Sequence, residues 1–74
     1  MYQFDRRKFQ AQMVLHGKTG ADVAKIIGKT ESTLYNKLRN NGDFTREEMG
    51  KLIDALDITD INGIFFAENV ADMQ

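Results

Sequence analysis

The chain contains no cysteine, no proline and no tryptophan, and each gap in the alphabet removes a class of explanation. Without cysteine there is no disulfide framework and no thiolate zinc site, so a packed core must hold the fold, which suits a reducing compartment. Without proline nothing interrupts a helix from within. Long apolar runs are missing too: Ile64-Phe65-Phe66-Ala67 is far short of a membrane span, and the first residues lack the basic-then-apolar layout of a signal peptide. The expectation is a soluble cytoplasmic protein with no membrane association. Catalytic material is equally scarce. His16 is the sole histidine and Ser32 the sole serine, and no nucleophile, base and orienting group can be assembled around them. An enzyme is not expected, nor a metal or a cofactor.

What is present is charge, unevenly placed. The net charge of −1 conceals a division. Residues 1–41 hold Arg6, Arg7, Lys8, Lys18, Lys25, Lys29, Lys37 and Arg39 against Asp5, Asp22 and Glu31, a balance of +5. Residues 42–74 carry −6, from eight acids against Arg46 and Lys51. A basic half backed by an acidic half suggests a nucleic-acid face on an acidic body.

Seventy-four residues suffice for one small domain. Apolar residues recur at spacings of three and four, as in Phe9/Met13, Val23/Ile26/Ile27, Leu34/Leu38 and Met49/Leu52/Ile53/Leu56, which is helical periodicity. The tripeptide Gly-Lys-Thr occurs twice, at Gly17-Lys18-Thr19 and Gly28-Lys29-Thr30. A phosphate-binding loop would need a further glycine five residues earlier, where this chain has Gln12 and Val23. Both copies read instead as seams between helices: glycine stops one, and the threonine hydroxyl caps the next. Thr45 with Glu48 forms a capping box, and Asn40-Asn41-Gly42 reads as a further stop. Helices are expected near residues 5–16, 20–27, 31–40, 46–56 and 60–65. The fold class is all-α, a bundle of about five short helices over residues 1–66 with a tail over 67–74. Tyr2-Gln3-Phe4 and Ile64 to Ala67 either pair as short extended segments or close the bottom of the core with their aromatics.

Two short helices joined by a glycine turn, Thr19 to Ile27 and Thr30 to Asn40, match a helix-turn-helix whose second helix enters the major groove. Val23, Ala24 and Ile27 would face the junction, and Leu34 and Leu38 would pack the second helix back on the first. Glu31, Ser32, Tyr35, Asn36 and Arg39 then share the outer face, where side chains reach base edges or phosphates. The bland readings stand beside this one. Glu31 also suits a first helical turn, Tyr35 also suits packing against the turn, and Lys37 and Arg39 also suit plain solvation.

The stretch from Gly17 to Leu38 resembles the helix-turn-helix of the lambda repressor and Cro superfamily, the xenobiotic-response-element family. The segments Asp43-Phe44-Thr45-Arg46-Glu47-Glu48-Met49, Leu52 to Leu56 and Ile64-Phe65-Phe66 look like the later helices and tail of its small phage-encoded regulators. The resemblance implies a DNA-binding transcriptional regulator, a repressor of phage or prophage kind, acting in the cytoplasm on the nucleoid. Carried onto this chain, it puts Thr30, Glu31, Ser32, Tyr35, Asn36 and Arg39 against bases and Lys18, Thr19, Lys29, Thr33, Lys37 and Asn40 against phosphates. Asn36 would pair with adenine, Arg39 with guanine or a phosphate, and Glu31 with cytosine N4. The chain departs from the family at Gly20, where a glutamine commonly clamps the DNA backbone and braces the recognition helix.

One such domain reads too few base pairs for an address, so a homodimer on a palindromic operator is expected; Ile58 to Phe66 with Val70 is the best candidate for its surface, and burial of Phe65 and Phe66 within one subunit is the equal alternative. The alternative is a protein-interaction module such as an antitoxin or antirepressor, in which the acidic half engages a basic partner.

Overall fold

A computed structural model describes residues 2–68. They form a strand β1 (Tyr2–Gln3), five helices α1 (Arg6–Leu15), α2 (Gly20–Ile26), α3 (Glu31–Arg39), α4 (Arg46–Ala55) and α5 (Ile61–Phe65), and a strand β2 (Ala67–Glu68). Each helix begins and ends within one residue of its expected bounds. The compact, mostly helical class read from the periodicity is therefore the one found, with a two-stranded ribbon added at its base. No helix among the described residues is long and apolar enough to cross a membrane.

The starts obey side-chain capping. Thr19, Thr30 and Thr45 each accept a hydrogen bond from the backbone N–H three residues on, satisfying one of the donors that a helix start leaves orphaned. Thr19 with Asp22 is a complete capping box, as Thr45 with Glu48 is. Asp5 and Asp60 cap α1 and α5 in the same way.

The stops show why Gly-Lys-Thr repeats. Gly17 (φ +64°) and Gly28 (φ +71°) take the left-handed conformation that glycine adopts without a side-chain clash. At the first seam Gly17 N–H donates to the Val14 carbonyl and Lys18 N–H to that of Met13, 2.8 Å away. At the second, Gly28 N–H donates to Lys25 and Lys29 N–H to Ala24, at 2.9 Å for the latter. Each seam is a Schellman closure in which glycine turns the chain and the lysine amide ties it back. The end of α4 repeats the closure without glycine: Asp57 turns at φ +47° and Ile58 N–H donates to the Ile53 carbonyl.

Packing follows the apolar periodicity. Val23, Ala24, Ile27, Leu34 and Leu38 are buried between α2 and α3, and Leu52, Leu56, Ile58 and Ile64 continue the same core. Below them Phe4, Phe9, Phe44 and Phe65 form a four-ring cluster in which all six pairs lie between 5.4 and 6.4 Å. Offset and edge contacts of this kind add to the area that each ring buries. Phe4 is delivered there by its N–H, which donates to Asn41 Oδ1, and Asp5 N–H donates to the Ile64 carbonyl.

Two expectations change at the base. Ile64 and Phe65 are helical and buried, so the strand partner of Tyr2 and Gln3 is the next pair along, with Tyr2 opposite Glu68 and Gln3 opposite Ala67. Ala67 and Glu68, expected in a tail, are thus part of the fold. The apolar side chains suggested for a dimer surface are also divided: Ile58, Ile64 and Phe65 are core residues, because a domain this small needs their bulk to exclude water. Of its large apolar side chains Ile61 and Phe66 remain exposed, and Phe66 meets the exposed Tyr2 edge to face. Val70 lies outside the described residues.

Candidate nucleic-acid interface

α2 and α3 pack directly on each other across Gly28, with Ala24 only 2% exposed where a larger side chain would hold them apart. This pairing turns the remaining side of α3 outward. Along it Glu31, Ser32, Asn36 and Arg39 are exposed, and Tyr35 is half-buried.

The twelve candidate residues sort into groups with different freedom. Lys18 and Lys29 are exposed and make no ion pair among the described residues, so their ammonium groups are available while their backbone amides are fixed by the seams. Lys25 and the α1 residues Arg6 and Arg7 are unpaired by the same criterion, which extends the free positive charge over the basic half.

The threonines are occupied. Thr19 Oγ1 accepts from Asp22 N–H and donates to the Asp22 carboxylate, and Thr30 Oγ1 accepts from Thr33 N–H while donating to Thr33 Oγ1. Their hydroxyls serve the helix starts. Asp22 also brings a carboxylate to the start of α2; the Thr19 N–H and hydroxyl, aided by Lys18 and Lys25, hold its pKa below the usual range. A negative group there opposes a phosphate at the same point. The Thr-x-x-Asp spacing carries this electrostatic consequence, since the acid that completes the capping box also brings its charge to the helix start.

Lys37 is placed elsewhere altogether. Its ammonium lies 3.3 Å from Glu48 Oε1 and donates to the Asp43 carbonyl at 3.1 Å, with 19% of the side chain exposed. This intramolecular role engages the ammonium from which a phosphate contact is expected, and breaking it would leave a buried carboxylate without that partner. Burial pushes the Glu48 pKa up, but the Thr45 N–H and the Lys37 ammonium outweigh it and leave the group below the ordinary carboxylate value. Glu48 thereby caps α4 and ties α3 to α4.

Tyr35 is the second displacement. A Cβ built at Gly20 would run into the Tyr35 hydroxyl and sit 3.0 Å from its Cζ. The tyrosine therefore lies over the first residue of α2, in the space that any side chain at position 20 would need. A brace between the two helices is present, supplied from α3 rather than from α2. Tyr35 is thus half-buried against the start of α2.

At the far end of α3, an Arg39 Nη2 hydrogen-bond donor meets Asn36 Oδ1, so these two exposed residues act on each other across one helical turn. Asn40 forms the C-cap, its N–H donating to the Asn36 and Lys37 carbonyls while its side chain stays exposed. What the face offers a ligand is thus a free carboxylate at Glu31, a hydroxyl at Ser32, and the amide and guanidinium of Asn36 and Arg39. No group of three or more histidines and acids is arranged to hold a metal among the described residues. No family model matches the chain, and no curated protein or solved structure matches it.

Proposed function

We propose that this protein is a sequence-specific double-stranded DNA-binding transcriptional regulator of the lambda repressor and Cro kind, with α2 and α3 as its helix-turn-helix. The observation that carries the proposal is the pairing of α2 and α3 across Gly28, which leaves the polar face of α3 exposed, with Lys18 and Lys29 exposed and in no ion pair among the described residues. In this reading α3 lies in the major groove, Glu31, Ser32, Asn36 and Arg39 meet base edges, and Lys18 and Lys29 meet phosphates. Two copies bind a palindromic operator with their α3 helices about 34 Å apart, one turn of DNA. The protein acts as a phage or prophage repressor in the cytoplasm of a bacterial host.

Duplex binding measured from about 50 to 200 mM salt tests the proposal, because neutralising phosphates releases counterions and makes affinity fall steeply with salt. Steep salt-dependent binding to the DNA beside its own gene supports it. Absence of salt-sensitive binding to any duplex overturns it.

One observation favours a second reading, a protein-interaction module such as an antitoxin. Val14 and Leu15, adjacent on α1, are 80% and 73% exposed, a pair of large aliphatic side chains with no work in the core. Under this reading Val14→Ser with Leu15→Ser abolishes partner binding, whereas a DNA-binding regulator keeps its operator affinity.

A further inference from the structure

We infer that the aromatic hollow at the base of the molecule is a docking site for an arginine side chain carried on a basic segment of a partner protein. The inference goes beyond the DNA-binding reading and does not depend on it. Asn40, the C-cap of α3, is the one residue the hollow shares with the candidate nucleic-acid interface.

The hollow has a volume of about 470 Å³ and opens between β1, the turn from Asn40 to Phe44, α4 and the end of α5. Ligand sites span roughly 300–1,000 Å³, so its size is that of a binding site. Four of its lining residues are aromatic. Phe44 and Phe65 belong to the buried ring cluster, whereas Tyr2 and Phe66 are 61% and 43% exposed. The rings form two perpendicular pairs: Tyr2 and Phe66 are set at 86°, Phe44 and Phe65 at 84°. In each pair the ring that offers its edge keeps its own π faces uncovered by the other. Met49 adds a polarizable thioether to the same lining.

The one charged residue in the lining is Asp43, which is exposed and forms no ion pair among the described residues. The Lys37 ammonium touches the Asp43 carbonyl but is matched in charge by Glu48. Asn41 Oδ1 is taken by the Phe4 N–H, which leaves the Asp43 carboxylate as the strong free acceptor. These features sort the possible ligands. An anion would meet a carboxylate and the negative faces of the rings. A wholly apolar group would strip water from the carboxylate and return no hydrogen bond. An organic cation is drawn to ring faces and carboxylate alike. Arginine suits the site better than lysine, because its guanidinium is flat and weakly hydrated, stacks on aromatic faces and pairs a carboxylate through its N–H fork. The lining from Gly42 onward also belongs to the half that carries −6, which favours a basic segment around that arginine.

The test titrates the full-length, isotope-labelled protein with a short capped peptide bearing a central arginine, and with the same peptide bearing citrulline, which keeps the size and loses the charge. The expected result is saturable NMR shifts at Tyr2, Met49 and Phe66, with the citrulline peptide bound roughly five-fold more weakly or worse. Asp43→Asn and Tyr2→Leu should each weaken the arginine peptide by roughly two- to five-fold. Both residues are exposed, and Asp43 joins the fold through its backbone N–H and carbonyl, which asparagine retains. Amide spectra that match the wild type away from the hollow show that each variant is folded. No saturable shift, equal binding of the two peptides, shifts confined to another face, or an affinity that neither substitution changes would each overturn the inference. A chain that binds the arginine peptide but no duplex keeps the inference and loses the DNA-binding reading, and a chain that binds duplexes but not the peptide does the reverse.

Discussion

Gly20 and Tyr35 show how one residue decides the work of another. Gly20→Ala adds a methyl group where the Tyr35 hydroxyl lies, and since a phenol is the far end of a side chain with two torsions, the ring swings out before the backbone moves. We expect a folded variant with the melting temperature lowered by roughly 4–8 °C, as about 1 kcal/mol of lost packing implies for a domain this small. The Tyr35 ring resonances should shift with it. Glu48 gives a second residue-scale prediction. Its pKa is depressed in the folded state, so the stability it adds is present above its unfolded value of about 4.5 and is lost as pH falls through the lower folded value. Urea midpoints should therefore drop below about pH 4.5, and Glu48→Gln, lower at neutral pH by about 2 kcal/mol, should lose less on acidification. Parallel curves for the two proteins would remove Glu48 from this role.

At the scale of elements, the helices are held more by how they end than by how they propagate. α2 has seven residues, too few to persist alone, and its capping box and closing seam bracket it completely. Glycine matters unequally among the turns. Gly28 needs only its left-handed backbone, because a Cβ there meets open space, so Gly28→Ala should cost about 1 kcal/mol. Gly42 also turns at φ +64°, but a Cβ there would strike the Phe4 ring, with Cδ1 2.5 Å away. Gly42→Ala should therefore cost at least about 2 kcal/mol and disturb the phenylalanine cluster, a ranking that chemical denaturation of the two variants would check. These elements were legible in the sequence because caps, stop glycines and apolar spacing are local signals. The left-handed turn at Asp57 was not, since no glycine or asparagine marks it and the buried Ile58 beyond it makes the turn worthwhile. The ribbon was half legible: aromatics at both ends pointed to a junction, but its register depends on how far α5 runs before Phe66 leaves it.

For the whole molecule, the division of charge survives folding as a division of labour. Lys18 and Lys29 keep their charges free, whereas Lys37, equally basic on paper, holds the acidic α4 against α3. Sequence could not separate them, because a lysine's partner lies wherever the fold brings a buried acid. Under the proposed function the distinction is measurable in salt titrations. Lys18→Ala and Lys29→Ala should each reduce the slope of log affinity against log salt by about one. Lys37→Met should leave that slope intact and lower the unfolding midpoint instead. A loss of slope in Lys37→Met would mean that its pairing with Glu48 opens on DNA.

The seams carry a last consequence, for chain length. In each Gly-Lys-Thr one residue stops a helix, the next ties the stop, and the third starts the following helix, so neither seam holds a spare residue. A residue inserted at either seam would separate the tie from the cap and break the closure that sets one helix against the next. Under the proposed function the letters on α3, and with them the sequence that is read, can therefore change while the count of residues from α1 to α3 stays fixed.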